Sequence, residues 1–346
     1  MCLSFIRVIS AITITAMAGA ASAQQQQEPH GQNMMKGGHG GHSMMQYMHR
    51  YPGSLVGAHM MNPGGWMLSY KLMRMEMDGN RDDTDRLSEA EVRAQGFAVV
   101  PTEMTMDMHM VGAMYGATDK FTLMAMLPYV SNDMDHVAGM PLGSVRFTTE
   151  SDGIGDVKAG ALIKLYDQAN RSIHANALVS FPSGSIDERD LPPGQLPYPM
   201  QLGSGTYDLM PGLTYTVHAP RYSWGVQAMA TIRLGDNDRD YTLGDQGRII
   251  GWYSRDLADS LALQLRLDFD AWGNIDGADP ELNTALVPTA DPDRRGGQRL
   301  DVGIGLMKGV SGWQFGIDVA VPVQQNLDGP QLETDYVVGL TVKKHL

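Results

Sequence analysis

The chain has 346 residues, 40 glycines, one cysteine and a formal net charge of −13 at pH 7. That charge argues against a nucleic-acid partner, which wants a basic surface. One cysteine excludes a disulfide framework, and beyond the N-terminal segment no stretch approaches the ~18 consecutive apolar residues of a membrane-crossing helix.

MCLSFIRVISAITITAMAGAASA opens the chain, with Arg7 as a short basic start, an apolar core to about Ala18 and small residues at Ala21-Ser22-Ala23. Residues 1–23 read as a secretory signal peptide. Cys2 and Arg7 leave with it, so the mature chain has no thiol and its charge moves from −13 to about −14. Residues 24–63 are rich in Gly, Gln, His and Met and poor in branched apolar residues. Such a segment cannot bury enough surface to fold alone and is expected to be a mobile, disordered tail.

From 64 to 346 the chain alternates apolar and polar residues with a period of two, the mark of strands with one wetted face. The segments lie at 65–79, 102–116, 120–130, 156–166, 172–181, near 204–217, at 223–234, near 242–255, at 260–272, near 298–308, at 312–322 and at 335–346. In 260–272, Leu261, Leu263, Leu265, Leu267 and Phe269 face one way and Gln264, Arg266, Asp268 and Asp270 the other. The connections alternate too, with short turns at 116–119, 167–170, 218–221, 256–259 and 308–312, and mostly longer loops between them. Loop length sorted by parity, aromatics near strand ends and full charges on the polar face together predict an all-β fold, a transmembrane antiparallel β-barrel of about twelve strands. Its expected place is the outer membrane of a Gram-negative bacterium, with the tail in the periplasm. Leu346 stands where such strands commonly end in Phe.

The leader, the short strands and LPYPMQLGSGTYDLMPGLTY (196–215) resemble the outer-membrane transporter family known as "MetA-pathway of phenol degradation". The resemblance covers roughly 60–346 and implies a barrel with a transport role, without catalytic residues to carry over. The tail is similar in composition to the Met/His-rich leaders of outer-membrane copper-resistance proteins.

MMKGGHGGHSMMQYMH places five Met and three His in sixteen residues. Thioether selects Cu(I) and imidazole suits copper in both states. The candidate metal ligands are His30, Met34, Met35, His39, His42, Met44, Met45, Met48, His49, His59, Met60 and Met61, with His109 as a barrel site. In TEMTMDMHMVGAMYG (102–116) every Met shares one parity and Glu103, Thr105, Asp107 and His109 the other. A charge facing lipid at the midplane costs up to ~2–4 kcal/mol for Arg or Lys and less for Asp or Glu. On that ground Met106, Met108 and Met110 are expected to face lipid and Asp107 the lumen, alongside Arg233, Gln264, Arg266, Asp268 and Asp270.

Asp78, Asn80, Asp82 and Glu89 match positions of a calcium loop, but Asp83 stands where that loop needs Gly, so a solvated loop is the better reading. Ser88 and Glu91 have capping-box spacing. His109 and His174 are the candidate bases for an enzyme, with no nucleophile motif beside them. The expected function is a non-enzymatic channel for a small solute, linked to copper handling. The alternatives are a copper-binding barrel without an open pore and, more remotely, an outer-membrane hydrolase. No cofactor is required, a copper ion being the candidate ligand, and the expected partners are outer-membrane lipid and a small-molecule or metal-ion solute, with no nucleic acid.

Overall fold

A computed structural model describes residues 47–140, 143–168, 170–190 and 194–346. The barrel strands are β1 Trp66–Asp83, β2 Val99–Gly116, β3 Phe121–Met140, β4 Val157–Gln168, β5 Arg171–Phe181, β6 Tyr207–His218, β7 Tyr222–Leu234, β8 Gln246–Ala258, β9 Leu261–Trp272 and β10 Gly297–Val310. They are followed by the 33 residues Trp313–His345, which run as two strand arms. Each strand pairs antiparallel with the next, and Trp313–His345 closes the ring on β1.

An all-antiparallel ring closes only with an even number of staves. The long final strand supplies the parity by reversing direction. Its first arm, 313–327 (β11), pairs with β10 and its second, 331–345 (β12), with β1. The ring therefore has twelve staves. The turn at Ser311-Gly312 has positive φ at both residues, 48° and 78°, the backbone twist that a tight hairpin prefers.

Outward positions form an apolar band. Trp66, Leu68, Phe121, Leu123, Leu127, Leu265, Leu267, Ile304 and Ile317 are each more than 40% exposed. No described helix is long and apolar enough to cross a membrane; the strands present the lipid-facing surface. On β3 the band runs from Phe121 to Tyr129, close to the nine to eleven residues a tilted strand needs.

β1 to β3 continue well past that band. Two of the stretches expected as longer loops, 79–101 and 132–152, carry much strand: β1 reaches Asp83, β2 begins at Val99, β3 reaches Met140, and Gly143–Ile154 returns along β3. Asp78, Asn80 and Asp82 therefore lie in β1, and Asn80 donates to the Pro101 carbonyl, which leaves no calcium loop. The connecting helix α1, Glu89–Ala94, carries the expected capping box: Ser88 accepts from the Glu91 amide and the Glu91 carboxylate accepts from the Ser88 amide and hydroxyl. Those bonds hold the Glu91 carboxyl below its ordinary range.

Candidate functional site

The inner surface of the barrel has two unlike walls. On β1 to β3 the inward side chains are largely methionine. The register sets Met67 across from Met114, Met73 from Met108, Met75 from Met106 and Met77 from Met104. It then sets Met104 across from Met134 and Met114 from Met124. Near the short turns, Met60, Met61, Met67, Met114, Met124 and Met126 form one buried cluster, against which Met110, Met210 and Met229 pack. Near the long loops, Met104, Met134 and Met200 form a second, with Met77 and Met106 packed on it. Between the clusters, Met73, Met75, Met108, Met110, Met126, Met210 and Met229 border a cavity of about 450 Å³. Thioether groups thus line one side of the barrel from end to end.

The facing wall, on β8 to β11, is ionic. Arg266 Nε lies 3.1 Å from Asp268 and its Nη1 3.0 Å from Asp318. Arg248 Nε lies 3.2 Å from Asp270, and Arg299 Nε 3.0 Å from Asp301. Gly303 sits across from Arg266, and a Cβ there would stand 2.5 Å from the guanidinium Nε. Only glycine leaves room for the arginine to lie flat over the neighbouring strand. Arg248, Arg266, Asp268, Asp270, Arg299 and Asp301 border the same cavity as the methionines.

Met106, Met108 and Met110 therefore face the lumen, not lipid, which corrects the expectation from the sequence. Asp107 and His109 lie on the outer surface. Asp107 accepts from Arg74 Nε at 2.8 Å, and His109 Nδ1 is 2.7 Å from the Tyr70 hydroxyl. The physical reason is strand length. Asp107 is across from Ser131 and His109 across from Tyr129, so the Asp107–Arg74 pair stands just above the apolar band. A charge there meets water and headgroups, and the penalty that drove the expectation does not apply. Of the other expected lumen residues, Arg266, Asp268 and Asp270 border the main cavity. Arg233 pairs with Asp208 beside a smaller one, and Gln264 donates to the His49 carbonyl.

The second correction concerns the tail. Residues 47–65 are not a solvated tail; they form a plug inside the barrel at the short-turn end. Met48, His49, Arg50, Tyr51, Leu55, Ala58, His59, Met60 and Met61 are all buried. Barrel side chains satisfy the plug's backbone. Lys71 donates to the Ser54 carbonyl, Gln227 to Val56, His174 and Asn176 to Gly57, Ser254 to Arg50, and Thr122 Oγ1 accepts from the Met61 amide. Arg50 is the anchor. It binds Asp256 through Nε at 2.8 Å and also donates to the carbonyls of Ala219, Pro220 and Tyr222; His49 Nε2 lies 2.9 Å from the same Asp256. Periodicity could not reveal this segment, because its order comes from hydrogen-bond partners on other strands, among them β1, β3, β5, β7, β8 and β9.

His30, Met34, Met35, His39, His42, Met44 and Met45 lie outside the described residues. Of the remaining candidate ligands, Met48 and His49 border a cavity of about 630 Å³ at the short-turn end, His59, Met60 and Met61 lie in the plug, and His109 is on the outer surface. His174, a candidate base, binds plug backbone. Among the described residues no three His, Cys, Asp or Glu side chains gather as a metal site. The methionine track, which that chemistry leaves out, includes the single-parity stripe that the sequence alone points toward lipid.

The sequence profile of the family described as "Putative MetA-pathway of phenol degradation" matches residues 91–326. No curated protein matches the chain significantly. Among solved structures, an outer-membrane channel from Pseudomonas putida F1 is similar with a TM-score of 0.60 and 14% identity, over 86% of this chain and 99% of that one. A TodX deltaS2S3 mutant monoaromatic hydrocarbon channel is more distant, with a TM-score of 0.45 and 11% identity over 82% of this chain and 90% of that one. The chain shares the antiparallel β-barrel fold of the Pseudomonas putida F1 protein.

Proposed function

This chain belongs to the family whose profile covers most of its barrel, and from that premise we propose that it is an outer-membrane channel for a small solute, a soft monovalent metal ion, acting in copper handling. The observation that carries this reading is the unbroken methionine wall, which runs from Met60 and Met61 in the plug to Met200 under the long loops. Thioether is neutral and soft, and favours Cu(I) over hard cations. A row of weak, similar donors suits passage, since conduction needs binding strong enough to enter and weak enough to leave. The opposing wall's Arg and Asp are paired with one another. In this reading the short-turn end faces the periplasm.

The test uses Ag(I), a redox-inert stand-in for Cu(I), and liposomes holding the purified full-length protein. Replacing Met73, Met75, Met108 and Met110 by Leu keeps the bulk and removes the sulfur. Silver entry should fall by more than about tenfold, one decade of discrimination corresponding to ~1.4 kcal/mol. Equal silver entry through parent and variant would sink the reading.

The plug supports a second reading, a copper-binding barrel without an open pore. Residues 47–65 fill the short-turn end. A parent protein silent in planar bilayers under all conditions, yet binding Cu(I), would favour it.

A further inference from the structure

His59 lies in the plug and His345 near the end of β12, and the barrel brings their rings together. The ring centroids are 6.1 Å apart, with the planes inclined at 44°. His59 is 4% exposed. All four ring nitrogens are enclosed and have no hydrogen-bond partner among the described residues. His49, His109, His174 and His218, by contrast, each place a ring nitrogen on a neighbour. Burying an imidazole with neither nitrogen engaged is costly, and two such rings facing each other ask for a shared partner.

The surroundings restrict that partner. The titratable groups that act on His59 are Lys343, His345 and His174, and those on His345 are Lys343 and Lys344. None of these is a carboxylate that would neutralise a divalent ion, and Lys343 penalises added charge further. Zn(II) also asks for four ligands in a structural site and three plus water in a catalytic one. The soft groups are close. Met67 is directly across from His345 in the β1–β12 register, and Met60 and Met61 follow His59 in the chain and share a buried cluster with Met67. Two metal–nitrogen bonds of about 2.0–2.1 Å laid end to end, plus the two ring radii, span close to the observed centroid separation.

We propose that His59 and His345 form a two-coordinate site for a monovalent soft metal ion, Cu(I), flanked by the thioether of Met67. His345 borders the cavity of about 630 Å³ at the short-turn end. His59 and Met67 border a smaller one inside, shared with Met110, Met114, Met124 and Met126. The pair thus stands between the mouth and the foot of the methionine wall, and binds the ion before the thioethers take it. Its place on a route rests on the channel reading; the binding itself does not.

The test uses the full-length protein in detergent, with His30, His39 and His42 changed to Asn and Met34, Met35, Met44 and Met45 to Leu so that those residues do not compete. One equivalent of Cu(I) is added under reductant against a chromophoric Cu(I) chelator, and the loaded protein is examined by X-ray absorption. Two short nitrogen ligands are expected. His59→Gln and His345→Gln should each weaken Cu(I) binding about tenfold or more, the scale lost when even a ligand's supporting partner is removed. The double variant should lose little beyond either single one, because both changes remove the same site. Copper bound through sulfur alone in the protein with both histidines intact overturns the site without any question of misfolding, and so does unchanged affinity in a folded single variant. Nitrogen ligation supports the site whether or not silver crosses the liposome membrane; its absence overturns the site even where silver flux stands.

Discussion

The methionine wall and the ionic wall are built on the same outward pattern and differ only inside. Leu68 and Leu123 on one side, and Leu265 and Leu267 on the other, meet lipid in the same way. Inward, β1 to β3 present thioethers that need no partner, while β8 to β11 present guanidinium and carboxylate groups that need each other. The difference teaches where stability is concentrated. A methionine can be exchanged for another side chain of its size at small cost. A buried ion pair contributes little net stability while whole, yet its halves are costly alone. The plug repeats the division: Arg50 and His49 reach the polar turn beside β8, and Met60 and Met61 join the thioether cluster.

The sharpest way to break this comparison is Arg266→Met. It leaves Asp268 and Asp318 without their closest cation, with both carboxylates at most 9% exposed. The folded barrel should lose about 3–5 kcal/mol, read as a lower urea midpoint for the heat-modifiable gel band. Removing Asp268 and Asp318 together with Arg266, as Leu, should restore much of it; no recovery would mean that the pairing is not the cause. Arg50→Ala comes next. It removes the guanidinium from Asp256 and a donor from each of the Ala219, Pro220 and Tyr222 carbonyls, and should weaken plug docking by about 1.5–3 kcal/mol. Openings more frequent than the parent's in planar bilayers would report it, and identical traces would refute the anchor. On the thioether side, Met108→Leu should cost less than about 1.5 kcal/mol, so a larger drop in the same urea assay would contradict the contrast between the walls. The smallest effect belongs to Asp107→Asn. Its partner Arg74 is 52% exposed on the outer surface, and such a pair is worth under about 1 kcal/mol. A loss as large as that from Arg266→Met would return Asp107 to the interior.

The alternation from Trp66 onward made the strands, their number and the inward placement of Arg266, Asp268 and Asp270 legible in the sequence. Two things were not. The direction of the Met106–Met110 stripe depends on where a strand stands relative to the bilayer. Eighteen residues of β2 exceed what the membrane needs, so a charge on the outer parity is no guide once the strand has risen clear. The plug was hidden because its order is borrowed. Ser54, Val56 and Gly57 carry no packing signal, and their carbonyls are satisfied by Lys71, Gln227, His174 and Asn176, dispersed through the sequence.

Because the plug borrows its order from the whole ring, it also has a place in time. Its partners include β1 through Lys71, β5 through His174, β7 through Gln227 and β8 through Ser254, and β12 stands beside His59. These surfaces converge only when the last strand has zipped against the first, so the stretch of chain made before any barrel strand is the last to settle. Tyr51 ends 6.4 Å from Trp252, and quenching between the two in a refolding experiment should trail the appearance of the compact gel band. The plug is in that sense a seal on assembly, set only in a barrel that has closed.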